Sequence, residues 1–363
     1  MMLKKSEKEL LQQVSEERVV RRCAELVQIP TVNLYSGDKA PSGELSGQLY
    51  VEKVLQKLGA RTERLECSDT VLAANQVLAP AGRIIRDRPN IIGTVIFGAG
   101  TGPTLLLDAH MDTVAVDSYN GNPFSGEVKD GFVWGRGSSD DKGGVAVMLE
   151  AVNALCESGA ALNGTVVCCS VVEEECDGAG KGTLSCMQHF PRPDAAIVID
   201  GDASAIRNGC CGVVTAEIAV QGQAGHAVSG NSVNAIEKAV ALFSAFERFR
   251  QIRGNHPGDF NLGFFRGGGH PANVPCEVRL GMNIKTGVQD MKDSSEKYAE
   301  YSGRVVRELF EQCVRETAAT DAFLVDHPPV VRWVKDVPSA VCPPEPAGLL
   351  ELAVEAQRDA QDT

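Results

Sequence analysis

Positive charge is scarce in this chain. Its 35 lysines and arginines are outnumbered by 48 aspartates and glutamates, for a net charge of -13. Nucleic acid and anionic membranes attract basic surfaces, so neither is expected as the main partner. Long apolar runs are missing as well. No stretch approaches the ~18 residues of a membrane span, and the opening MMLKKSEKELLQQ lacks the apolar core of a secretory signal. A cytoplasmic protein is the expectation. No C-x-x-C occurs among the 12 cysteines, which are scattered apart from the neighbours Cys168-Cys169 and Cys210-Cys211. They read as reduced thiols, most of them small buried hydrophobes, rather than a disulfide framework. A G-x-S-x-G elbow and a cysteine in a recognisable nucleophile setting are lacking, which argues against serine and cysteine hydrolases. The loop GRGSSDDKGG (135–144) is neither a P-loop nor a G-x-G-x-x-G turn, which argues against a nucleotide site.

What is present begins with length. A chain of 363 residues exceeds the size at which one core keeps growing, so two domains are expected. Amphipathic helices are predicted at 6–29 and 43–58, strands at 91–96, 104–109, 165–172 and 195–199, and a helix at 143–157. Alternating strands and helices indicate a mostly parallel α/β sheet flanked by helices. Beyond Gly212 the pattern changes: strands at 261–266, 276–285 and 322–326 and helices at 232–249 and 289–317 follow the alternating VVTAEIAVQG. That β-α-β-β-α-β order is the split ferredoxin-like arrangement, here an inserted lid or dimerisation domain. The expected division is 1–211 with 326–363 for the first domain and 212–325 for the second. The Gly- and Pro-rich 263–275 joins two lid strands.

Ligands of open α/β sheets gather at the carboxyl ends of strands. LLLDAHMDTV (105–114) runs from a buried strand into His110, with Asp112 two residues on. A metal-binding imidazole commonly gives its other N–H to a carboxylate, which fixes tautomer and basicity. Asp140 and Asp141 precede a helix, where a pair of carboxylates can merely cap it. The strand TVVCCSVV empties into Glu173, Glu174 and Glu175, and AAIVID ends in Asp200. Four strand ends thus present His110, Asp140, Glu174 with Glu175, and Asp200. Imidazole and carboxylate ligands without a thiolate suit zinc, manganese or cobalt, and two cations would best neutralise so many carboxylates.

These blocks, together with GQAGHAVSGNSVNAIEKA and GGGHPANVP, resemble the di-zinc amidohydrolase and exopeptidase family of acetylornithine deacetylase, succinyl-diaminopimelate desuccinylase, aminoacylase and glutamate carboxypeptidase, from about residue 16 to the C-terminus. The resemblance implies two divalent metal ions, zinc first and cobalt or manganese as alternatives. In it His110 and Asp200 hold one metal, Asp140 bridges both, Glu175 holds the second, and Asp112 orients His110. Asp202 is a rival to Asp200, since the family's proline after that ligand is Gly201 here. The Asp140-Asp141 peptide is implied to be cis. Glu174 matches the general base, His226 a histidine that donates to the oxyanion across a dimer interface, and Asn273 a substrate contact. The implied activity is hydrolysis of an amide bond in an N-acyl amino acid or small peptide by a homodimer.

Two positions depart from the family. Its carboxylate-binding arginine is replaced by Asn283 or Lys285, and lysine lacks the bidentate fork. A final histidine for the second metal is expected from a segment after the return to the first domain, for which HPPVVRW (327–333) is the crossing, yet no histidine follows His327. The second metal site is therefore expected to be one ligand short. The alternative reading is a shortened, non-catalytic member that binds a metal or ligand, or dimerises.

Overall fold

The structure, a computed structural model, describes residues 10–75, 77–190, 192–201, 205–226, 230–287, 290, 303–342 and 348–361. It divides into two compact units, one made of Met1–Ala74, Ala81–Arg207 and Pro343–Thr363, the other of Asn75–Pro80 and Asn208–Cys342.

The first unit is built on a five-stranded sheet of β1 (Arg61–Leu65), β2 (Asn90–Phe97), β3 (Thr104–His110), β6 (Gly164–Val171) and β7 (Ala195–Val198), in the order β1-β2-β6-β3-β7. β6, β3 and β7 are parallel, while β2 is antiparallel to both β6 and β1. Four of the five strands therefore run one way, and the carboxyl ends of β3, β6 and β7 share an edge. Between β3 and β6 lie the hairpin β4 (Glu127–Lys129) and β5 (Phe132–Trp134), outside the sheet, and a helix.

The unit's helices are α1 (Glu16–Val27), α2 (Leu45–Lys57), α3 (Thr70–Ala74), α4 (Lys142–Glu157), α5 (Lys181–His189) and, near the C-terminus, α10 (Leu349–Gln361). α1 is shorter than the expected 6–29. Ser15 caps it, accepting from the Arg18 amide at 3.2 Å, and Glu16 and Glu17 favour a helix start at that point. Because both sheet faces are covered, successive residues of a strand enter opposite cores. Leu107, Val166 and Cys168 join one cluster, and Leu106, Val167 and Cys169 the other.

The second unit holds β8 (Gly209–Cys210) paired with β15 (Ala340–Val341), and β10 (Gly225–His226) paired with β12 (Asn273–Val274). Its main sheet is antiparallel, β11-β13-β9-β14, from β9 (Gly212–Gln221), β11 (Phe260–Gly267), β13 (Glu277–Thr286) and β14 (Val330–Val337). Val214, Ala216, Ile218 and Val220 of β9 alternate into the core against α6 (Ala235–Ala241), α7 (Phe243–Ile252) and α8 (Arg304–Ala318). The expected start of α8 near 289 lies outside the described residues.

The last strand is not at 322–326. That segment is helix α9 (Ala322–Asp326), because Asp321 accepts from the amides of Phe323 and Leu324 at 2.9 and 3.0 Å and so caps a helical turn. The strand is β14, which carries most of the motif expected to be the return crossing and pairs along β9 from Val330↔Ala219 to Val337↔Val213. Asp336 also exchanges backbone hydrogen bonds with Leu78. The division expected at 212 and 326 therefore moves, with 75–80, 208–211 and 326–342 belonging to the second unit.

Candidate metal centre

β3 delivers His110 to the carboxyl edge of the first unit's sheet, opposite Val171 of β6. Its main-chain amide donates to Asp141 Oδ2 at 3.0 Å, and Asp141 Oδ1 accepts from Gly144, capping α4. The loop before α4 is thereby tied to the end of β3. Asp140 comes from this loop, whose Asp140-Asp141 peptide is cis, and not from a strand of the sheet. Gly144 approaches the exit of β7 so closely that a Cβ there would collide with the Ile199 carbonyl, one residue before Asp200.

His110 Nε2 lies 2.8 Å from Asp140 Oδ1 and 4.0 Å from Glu174 Oε2. Ligand atoms of His110, Asp140 and Asp200 all fall within 4.8 Å of one another, close enough to share one cation; among the described residues, this is the group of histidine, cysteine and carboxylate side chains so placed. Asp202 lies outside the described residues.

Nδ1 of His110 meets the main-chain carbonyl of Asp112 at 2.9 Å, while the Asp112 carboxylate is 3.6 Å away, too far for a hydrogen bond. Asp112 thus faces the ring with both its main-chain carbonyl and, farther off, its carboxylate. The buried carboxylate instead accepts from Asn33 Nδ2 at 2.7 Å and from the amides of Glu174 and Glu175 at 3.3 and 3.1 Å. Asp112 therefore ties the strand end to the turn after β6.

That turn is conformationally costly. Glu173, Cys176, Asp177 and Ala179 have φ of 64, 55, 64 and 58°, where each non-glycine residue costs about 1–2 kcal/mol. Its closure comes from Gly178 N to Glu175 O and Gly180 N to Glu173 O, at 2.9 and 3.1 Å.

The electrostatics favour a cation. Burial pushes the Glu174 carboxyl up, and burial with the neighbouring Asp140 and Glu174 charges raises Glu175 to about 7. Burial pulls the His110 imidazolium down, but Asp112 and Asp140 outweigh it and hold it up at about 12. The field is thus strongly negative, and the imidazole and carboxylate donors fit a hard or borderline divalent ion. Glu175 flanks this cluster without entering the three-ligand group.

In the second unit β10 pairs His226 directly with Asn273 of β12, both exposed. Asn283 and Lys285 lie on the exposed face of β13, where Asn283 Oδ1 accepts from Thr215 Oγ1 at 2.7 Å. His327 stacks on Phe323 at 4.2 Å. Sequence reasoning missed Arg83 and Arg88, buried beside Glu173. Only the unusual density of arginines in RIIRDRPN hints at them.

The family model for Peptidase family M20/M25/M40 matches residues 106–353. N-formyl-4-amino-5-aminomethyl-2-methylpyrimidine deformylase of Halalkalibacterium halodurans is 32% identical over 253 residues, covering 63% of this chain and 56% of that protein. Succinyl-diaminopimelate desuccinylase of a Sulfurovum species is 30% identical, covering 54% and 56%. The chain thus spans little more than half the length of these curated relatives. A tripeptidase structure from Staphylococcus aureus superposes with a TM-score of 0.66 at 22% identity, covering 96% of this chain and 83% of that one. No helix among the described residues is long and apolar enough to cross a membrane.

Proposed function

The chain belongs to peptidase family M20/M25/M40, and on that premise we propose that it hydrolyses the amide bond of an N-acyl amino acid or small peptide with two divalent cations, zinc in the first instance. The observation that carries this reading is the convergence of His110, Asp140 and Asp200, with Glu174 reaching to 4.0 Å from His110 Nε2. His110 and Asp200 would hold one ion, Asp140 both, and Glu175 the second. A bound cation polarises the scissile carbonyl and acidifies water.

The protein's own part is proton handling and orientation. Glu174, half-exposed and with a raised pKa, takes a proton from the attacking water and returns it to the departing amine. Asp112 holds the amides of Glu174 and Glu175, fixing where that proton is received. His226 and Asn273 are paired across β10 and β12; Asn273 is a substrate contact, and His226 is the donor to the oxyanion across the dimer interface. The acting form is a homodimer.

The test is metal per subunit by elemental analysis, with hydrolysis of N-acetylornithine, N-succinyl-diaminopimelate and an N-formylaminopyrimidine and the molar mass in solution. Metal uptake with turnover of one acyl class supports the proposal. Metal uptake without turnover of any favours the non-catalytic binding protein, and no uptake overturns both.

A further inference from the structure

A chain of buried polar contacts leads away from the metal centre. Glu44, at the start of α2, accepts from Arg88 Nε and Nη2 at 2.6 and 2.7 Å. Arg88 Nη1 lies 2.5 Å from Glu173 Oε1, and the same carboxylate is gripped by Arg83 through Nε and Nη2. All four side chains are at most 3% exposed. Their charges cancel, two against two, which a buried set requires.

Arg83 does more than neutralise. Its Nη1 donates to the carbonyl of Cys176 at 2.8 Å, so one guanidinium holds both ends of the four-residue stretch that carries Glu174 and Glu175. Its Nη2 lies 3.4 Å from Asn33 Oδ1, and Asn33 donates onward to Asp112, which accepts from the Glu175 amide. The contacts close a ring around the two glutamates. Tyr35 covers the outer face of the guanidinium, 4.0 Å from ring centre to carbon. The left-handed residues of this turn need surroundings that over-determine them, and a planar fork with five donors can grip both oxygens of a carboxylate while reaching a carbonyl and an amide oxygen, four acceptors where an ammonium has three donors.

We propose that Arg83 is a positioning residue for the metal centre, a clamp on the turn 173–176 that sets the directions of Glu174 and Glu175. The consequence for metal binding rests on reading those two residues as base and ligand; the clamp itself does not. Two readouts on the whole chain separate them. Hydrogen exchange of the amides at 174–178 reports the clamp without any metal. Titration with cobalt(II) alone, followed by its visible absorption, reports the site.

In Arg83→Lys, exchange in this turn is expected to quicken by about tenfold or more while the α4 amides keep their protection. Cobalt(II) affinity should fall by roughly 10–100-fold, the usual effect of losing an outer partner of a ligand. The control is Arg22→Lys, which loosens a different buried pair, Arg22 with Glu150 at 2.6 Å, and should do neither. If Arg83→Lys fails to fold, the isosteric Glu173→Gln is read in the same way. Unchanged exchange at 174–178 overturns the clamp, and quickened exchange with unaltered cobalt(II) affinity overturns its link to the metal. If the unmodified chain takes up no cobalt(II), the reading of the site fails instead, and the clamp stands or falls on exchange.

Discussion

The two units bury different things. Among the described residues, every polar or charged residue that is buried as a whole, except Thr286, Asp336 and Ser339, lies in the first unit. The second unit's core is instead apolar and aromatic: Phe246, Phe249, Phe260 and Phe310 meet with ring centres 5.2–6.2 Å apart, and Trp333 packs edge-on against Phe310. Apolar burial is non-directional and forgiving of small displacements, whereas a buried charge is tolerated only with partners in place. The contrast is between a unit that adds buried charges, which fix directions, to its apolar clusters and one whose core is almost wholly apolar.

The strongest way to break this contrast is at Glu174. Glu174→Ala should reduce amide hydrolysis by roughly 10²–10⁴-fold, the range for loss of a general base. Metal content should stay unchanged, and the denaturation midpoint should not fall, because burial already disfavours this carboxylate's charge in the folded state. A lowered midpoint with normal turnover would make Glu174 a structural residue.

Phe310→Ala is the mirror experiment. Removing a fully buried ring from the second unit should cost about 3–5 kcal/mol in urea unfolding, while the folded fraction still binds metal as before. The smallest effect is at the edge of that core. Asp321 caps α9 and pairs with Lys238 at 2.6 Å, so Asp321→Ala should cost about 1 kcal/mol near neutral pH. The Lys238 ion pair holds its carboxyl below the ordinary 3.8. Its contribution is present above that value and is lost as pH falls through the lower folded one, so wild type and variant should converge in acid. A gap that stays constant down to acid would remove the charge from the account.

How much of this was legible in the sequence depended on the range of the cause. β3 and its exit at His110, α4 and the alternating β9 follow from local periodicity, and the structure puts them within a residue or two of expectation. The strand β1, RTERL, escaped notice because its exposed and half-buried residues carry no apolar signal. The run AFLVD looks the same as a short strand or a buried helical turn, and only the Asp321 cap decides. Of the site, His110, Asp140, Asp200 and Glu174 could be named because each sits where an apolar strand or a glycine-rich loop gives out. Arg83 and Arg88 could not, since an arginine becomes a buried clamp only when chain from about 90 residues away arrives to meet it.

The close passage of Gly144 against the Ile199 carbonyl gives the centre a mechanical character. The first turn of α4, just after the loop bearing Asp140, thus runs against the strand exit that bears Asp200, with no room for a side chain between them. Any side chain added at position 144 would therefore act on the centre from outside it, by parting the segment of Asp140 from that of Asp200.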